Sequence, residues 1–128
     1  MQLGLGAWHR YMTSGDPELL PDLLAADVVF HSPANSPVLQ GRDKVSAYLA
    51  AAAQVFGSGG EFRYVRELVD GAEACLEFET TLDGTGINGV DLIRFDIEGR
   101  VVELKVMLRT VAAIELVGGK MAAALQAA

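Results

Sequence analysis

The sequence predicts an α+β domain in which a curved antiparallel sheet wraps around three N-terminal helices. Three observations carry this expectation. Apolar residues at helical spacing fill the first half of the chain, alternating runs divided by glycine turns fill the second, and one short early strand is available to join them. At 128 residues, 51% hydrophobic and 21% charged, the chain makes one domain, 1–128, with enough apolar material for a core.

Residues 3–14 set Leu3, Ala7, Trp8, Tyr11 and Met12 at helical spacing, and Ser14-Gly15-Asp16-Pro17 then supplies a stop, an N-cap and a proline at the first helical position. A second helix is expected over 17–26, carrying Leu19, Leu20, Leu23 and Leu24, with Pro21 either tightening its first turn or splitting off a short one. Residues 28–32 read as a strand ending in the loop Pro33-Ala34-Asn35-Ser36-Pro37, where two prolines remove backbone donors. Gly41 precedes a third helix over 42–56, with Val45, Tyr48, Leu49, Ala52 and Phe56 on one stripe and Gly57-Ser58-Gly59-Gly60 ending it.

Four strands follow. Residues 61–69 run into Asp70-Gly71, 72–82 into Asp83-Gly84-Thr85-Gly86, and 90–97 into Glu98-Gly99, after which 101–108 completes an antiparallel meander. Alternation puts Ala74, Leu76, Phe78 and Thr80 on one face and Glu73, Cys75, Glu77 and Glu79 on the other; Leu104, Val106 and Leu108 likewise oppose Glu103, Lys105, Met107 and Arg109. Glu77 and Glu79 are expected to meet Lys105, Arg109 or Arg94 across strands, in a ladder of the solvated or interfacial kind. Residues 111–127 suit a helix, but Gly118-Gly119 interrupts them, so a short helix or turn and then a second short helix are expected.

Composition narrows the function classes. A net charge of −7 argues against nucleic acid and against an anionic membrane surface as partners. The single Cys75 builds neither a disulfide framework nor a thiolate metal site, which suits a reducing, cytoplasmic setting. The N-terminus lacks the basic segment and apolar run of a signal peptide, and 18 consecutive apolar residues occur nowhere. No metal is expected, because His9 and His31 lie in different elements without a carboxylate or histidine at i, i+4 spacing. No cofactor is expected either, since the glycines at 57, 59, 60, 84, 86 and 89 lack a phosphate-loop lysine and a strand-to-helix fingerprint. Ser32 and Ser36 lack the elbow of a hydrolase nucleophile, and Cys75 shares parity with glutamates, so covalent catalysis is not expected.

The order helix, helix, strand, helix, meander, with Ala26-Asp27-Val28-Val29-Phe30-His31-Ser32-Pro33, then Gly41-Arg42, then Gly89-Val90-Asp91-Leu92-Ile93-Arg94-Phe95-Asp96-Ile97-Glu98-Gly99-Arg100-Val101-Val102-Glu103, resembles the SnoaL-like branch of the nuclear transport factor 2-like superfamily over nearly the whole chain. The resemblance implies a cone with an internal apolar pocket between the concave sheet face and the helices, a small apolar molecule as ligand, and a homodimer through the convex sheet face. It leaves the reaction open, because the superfamily holds isomerases, cyclases, dehydratases, epoxide hydrolases and binding proteins without activity. Asp91 matches the ketosteroid isomerase position whose aspartic acid donates a hydrogen bond to the substrate oxyanion. His31 matches that of the base, and Trp8 that of a helix tyrosine, with Tyr11 one turn later. Val106 stands where SnoaL-type cyclases and limonene epoxide hydrolase are implied to carry a catalytic aspartate.

His31 and Asp91 are therefore the catalytic candidates. Asp91 shares parity with Ile93 and Phe95, which aims it at the concave side. Isolated from charge, its pKa rises and it donates a hydrogen bond; beside His31, the two ionise as a pair. The ordinary structural alternatives are a carboxylate bonded to a nearby amide and a strand-end histidine satisfied by Ser32 or Asn35. Trp8, Tyr11, Met12, Tyr48, Phe56, Phe78, Phe95 and Leu108 form the expected apolar lining, of which Trp8 and Tyr11 stand out by polar tips that want partners when buried. The expected function is a cofactor-free isomerase, cyclase or lyase acting on a small apolar carbonyl compound. The alternatives are a binding protein for a hydrophobic metabolite and a dimeric partner-binding module.

Overall fold

The computed structural model describes residues 2–34, 38–57 and 61–127, with side chains for 4–34, 38–57 and 61–126. Asn35, Ser36, Pro37, Ser58, Gly59 and Gly60, and the Leu3 side chain, lie outside these. Helix α1 (Gln2–Ser14) ends as its spacing implies: Gly15 takes φ +65° and its N–H donates to the Tyr11 carbonyl at 2.7 Å. Asp16 then caps a 3₁₀ turn (Pro17–Leu19) by accepting from the Glu18 N–H.

The second helix is shorter than the leucine spacing predicts. Pro21 lies in the first turn of α2 (Leu20–Leu23), and strand β1 (Leu24–His31) starts directly after it. Leu24 is claimed by pairing with Val101, and a tertiary ladder overrides a local helical preference.

After β2 (Leu39–Gln40), α3 (Arg42–Gly57) buries Val45, Tyr48, Leu49, Ala51 and Val55. The meander comprises β3 (Arg63–Asp70), β4 (Glu73–Leu82), β5 (Thr85–Phe95) and β6 (Val101–Arg109). The six strands lie in the order β2-β1-β6-β5-β4-β3. The sheet is mixed rather than wholly antiparallel, because β1 runs parallel to β6; the chain leaves β1 through β2 and α3, and the meander's last strand returns alongside it.

Inside-outside alternation holds along β4 and β5 and, beyond a register shift opposite Arg94 and Phe95, along β6 from Glu103 onward; the inner face meets the helices in a core that includes Trp8, Tyr11, Phe30, Leu76 and Leu104. On the outer face the ion pairs differ from the expected ones. Glu77 and Glu79 are held by Arg66 and Arg63 of the neighbouring strand β3, at 3.1 and 2.8 Å, while Arg94 pairs with Glu103.

The C-terminal segment also departs from expectation: α4 (Val111–Ala127) is one continuous helix through Gly118-Gly119. Ala113, Val117 and Met121 are buried at four-residue intervals, so packing offsets the roughly 1 kcal/mol that each helical glycine costs. A Cβ on Gly118 would stand only 3.2 Å from the Ala34 Cβ, so the glycine also permits close approach. No helix among the described residues is long and apolar enough to cross a membrane.

Candidate functional site

Between the inner sheet face and helices α1, α3 and α4 lies a cavity of about 870 Å³, within the size range of small-molecule sites. Trp8, Tyr11, Met12, Tyr48, Phe56, Phe78 and Leu108 all border it. Phe95 does not. It packs against α1 instead, where a Cβ on Gly4 would come within 2.6 Å of its Cδ1. The floor depends on another glycine. Gly89 faces inward between Phe78 and Leu108, and a Cβ there would meet the ends of those side chains at 2.6 and 2.7 Å and the Met107 carbonyl at 2.7 Å.

Two residues further along β5, Asp91 faces the same cavity at 5% exposure. Its neighbours across the sheet are Leu76 on β4 and Val106 on β6, so no charge compensates it on either side. Burial pushes its carboxyl up to about 7 from the ordinary 3.8, opposed by a hydrogen bond from the Tyr64 hydroxyl to Oδ2 at 2.6 Å. The Tyr64 oxygen in turn accepts from Trp8 Nε1 at 3.0 Å, which gives a chain Trp8 to Tyr64 to Asp91. Among the described residues nothing donates to Asp91 Oδ1, and no buried side-chain polar atom lacks a partner. Oδ1 is therefore the edge of Asp91 presented to the cavity. Burial and the adjacent carboxylate raise the Tyr64 hydroxyl far beyond the physiological range, so it stays a neutral donor.

His31 does not join Asp91. Phe30 points inward, so the next residue along the strand points outward, and His31 Nε2 lies 3.0 Å from Glu103 Oε2 on the outer face. The expected His31–Asp91 pair is absent because the sheet separates them. Its inward neighbour Ser32 instead bonds the Tyr48 hydroxyl and partly offsets the rise that burial gives it.

The polar tips expected to greet a ligand are engaged within the protein. Trp8 serves Tyr64, and the Tyr11 hydroxyl donates to the Leu49 carbonyl at 3.1 Å, with burial pushing its pKa up to about 12.

Sequence reasoning missed Tyr64, Phe62 and His9. Tyr64 and Phe62 precede a register shift between Tyr64 and Arg66, which breaks the alternation that would have assigned them inward. Phe62 stacks on Phe78 at 4.8 Å between ring centres and lines the cavity. The signal for His9 was its i, i+3 spacing to Met12, which puts both on the cavity side of α1.

A model of the SnoaL-like domain matches residues 5–104. The chain belongs to the SnoaL-like family. Among solved structures, this SnoaL-like chain is similar to a steroid delta-isomerase from Pseudomonas aeruginosa at 34% identity, over 98% of this chain and 91% of that one, with a TM-score of 0.90. It is also similar to an uncharacterised protein with a cystatin-like fold from Silicibacter pomeroyi DSS-3, at 31% identity over 97% and 83% of the two chains, TM-score 0.82. A protein with a ketosteroid isomerase-like fold from Catenulispora acidiphila, crystallised with trimethylamine, shares the fold at 18% identity over 91% and 92%, TM-score 0.64. No curated protein matches.

Proposed function

We propose that this SnoaL-like protein is a cofactor-free enzyme that moves a proton on a small apolar carbonyl compound, with Asp91 holding the carbonyl oxygen. One observation carries the reading: a carboxyl raised to about 7 by burial, with one oxygen fixed by Tyr64 and the other open to an apolar cavity. In its neutral form such a group donates a hydrogen bond to a ligand oxygen, and the donation strengthens as negative charge develops there. The likeness to a steroid delta-isomerase supports an isomerase on a ketone. Val106, beside Asp91, supplies no acid where cyclase chemistry needs one, which disfavours the cyclase version. The same feature favours the second reading, a binding protein for a hydrophobic metabolite.

The test follows deuterium uptake from heavy water at the carbon next to the carbonyl, on apolar ketones running from cyclohexanone through 2-decalone to a 3-ketosteroid. Trp8, the sole tryptophan, lines the cavity and reports binding by fluorescence. Wild type should accelerate exchange, and Asp91→Leu, which suits its apolar row, should lose about 10²–10³-fold. Ketones that bind without exchange would establish the binding-protein reading instead.

The outer sheet face supports a homodimer. It leaves Leu68 exposed at a shallow depression of about 380 Å³, and Met107 exposed elsewhere on the same face. Introducing Leu68→Glu should convert a dimer to a monomer in sedimentation; a wild type that is monomeric at micromolar concentration would remove this part of the proposal.

A further inference from the structure

Asp91 alone does not complete a proton shuttle, because a group that holds the oxygen cannot also take the proton from carbon. With His31 on the opposite face, the cavity needs another base. Among the described residues bordering it, the ionisable side chains besides Asp91 and the tyrosines are His9 and Arg63, and Arg63 is held by Glu79.

His9 projects from α1 beside the cavity and stands edge-on to Tyr64, with ring centres 5.4 Å apart. Its Nε2 contacts Glu67 Oε1 of β3, and the two side chains are 36% and 41% exposed, which places them at the rim. Among the described residues Nδ1 has no hydrogen-bond partner. The carboxylate favours the tautomer with hydrogen on Nε2, which leaves the Nδ1 lone pair as a proton acceptor. It also stabilises the imidazolium that forms when that proton is taken, the logic by which a carboxylate serves a catalytic histidine.

We propose that His9, oriented by Glu67, is the base that works with Asp91. This rests on the proton-transfer reading above. In the reaction His9 Nδ1 takes a proton from the carbon next to the carbonyl: the C–H bond breaks, an N–H bond forms, and the electron pair passes to the carbonyl oxygen held by Asp91. The His9 imidazolium, its proton exchanged with solvent, then returns a proton to that carbon, so the C–H bond is restored, His9 is neutral again, and no co-reactant is consumed. His9 is the catalytic residue of the pair and Glu67 the positioning residue.

The experiment uses the same exchange assay on the full chain. His9→Gln should reduce the rate about 100-fold or more while leaving ketone binding, read by Trp8 fluorescence, within about twofold. Glu67→Gln should lower kcat with KM unchanged, and nitrogen-15 NMR should show His9 losing its preference for the Nε2–H tautomer, a change that a merely structural role would not produce. The chain contains two histidines, so His31 is an internal control: 2-decalone should move the His9 signals and leave those of His31 in place. Exchange that survives His9→Gln within twofold while Asp91→Leu is inactive would overturn the His9 assignment alone. A wild type that exchanges none of the ketones would overturn the proton-transfer reading, and the assignment with it.

Discussion

Asp91 on β5 and Glu103 on β6 belong to one sheet, yet their environments drive them in opposite directions. Asp91 lies on the inner face between Leu76 and Val106, and burial raises its carboxyl to about 7. Glu103 lies on the outer face, where hydrogen bonds from Arg94 and His31 hold it below the usual carboxylate range. The difference shows that side-chain direction, set by the twofold period of the strand, determines which carboxyl can exchange a proton near neutral pH. It also explains the fate of the histidines. His31 is drawn into the outer charge network, while His9 reaches the cavity from a helix.

The largest effect expected from this contrast is on stability against pH. The unfolded chain releases the Asp91 proton near pH 4, whereas the folded chain holds it to about 7. Between those values the native state binds more protons, so stability falls as pH rises. At about 1.4 kcal/mol for each pH unit, tapering where either state is half-titrated, wild type should lose roughly 3 kcal/mol relative to Asp91→Asn between pH 4 and 7, measured by urea unfolding. A constant difference between the two proteins would break the contrast.

A smaller effect belongs to the inner floor. Gly89→Ala should cost about 1–3 kcal/mol in the same assay, because its Cβ meets Phe78, Leu108 and a backbone carbonyl that cannot swing away. On the outer face, Glu103→Gln should change stability by about 1 kcal/mol or less and leave ketone exchange unaltered, since its partners are substantially exposed. A large loss of exchange in that variant would show that the two faces are coupled.

Much of this arrangement was legible from residue order. Alternation along 73–80 and 103–109 assigned both faces, and the parity of Asp91 with Ile93 sent it inward. The same rule, applied from Phe30, turns His31 outward; a single residue step along a strand changes the face, and matching His31 to a family position overrode that step. Other features depended on contacts distant in sequence. The β3 irregularity that orients Tyr64, the joining of β1 to β6, and the packing that carries α4 through two glycines all arise from partners that local preference does not contain. The Trp8–Tyr64–Asp91 chain spans separations of 56 and 27 residues, which no short motif could reveal.

The most direct measurement is a carbon-13 NMR titration of the Asp91 side-chain carboxyl in the wild-type protein, assigned by comparison with Asp91→Asn. A midpoint at about 7, with Glu103 titrating below the usual carboxylate range in the same spectra, is the expected result. An Asp91 midpoint near 4 would show a carboxylate fully ionised at neutral pH, and would contradict its role as the donor that holds a carbonyl oxygen.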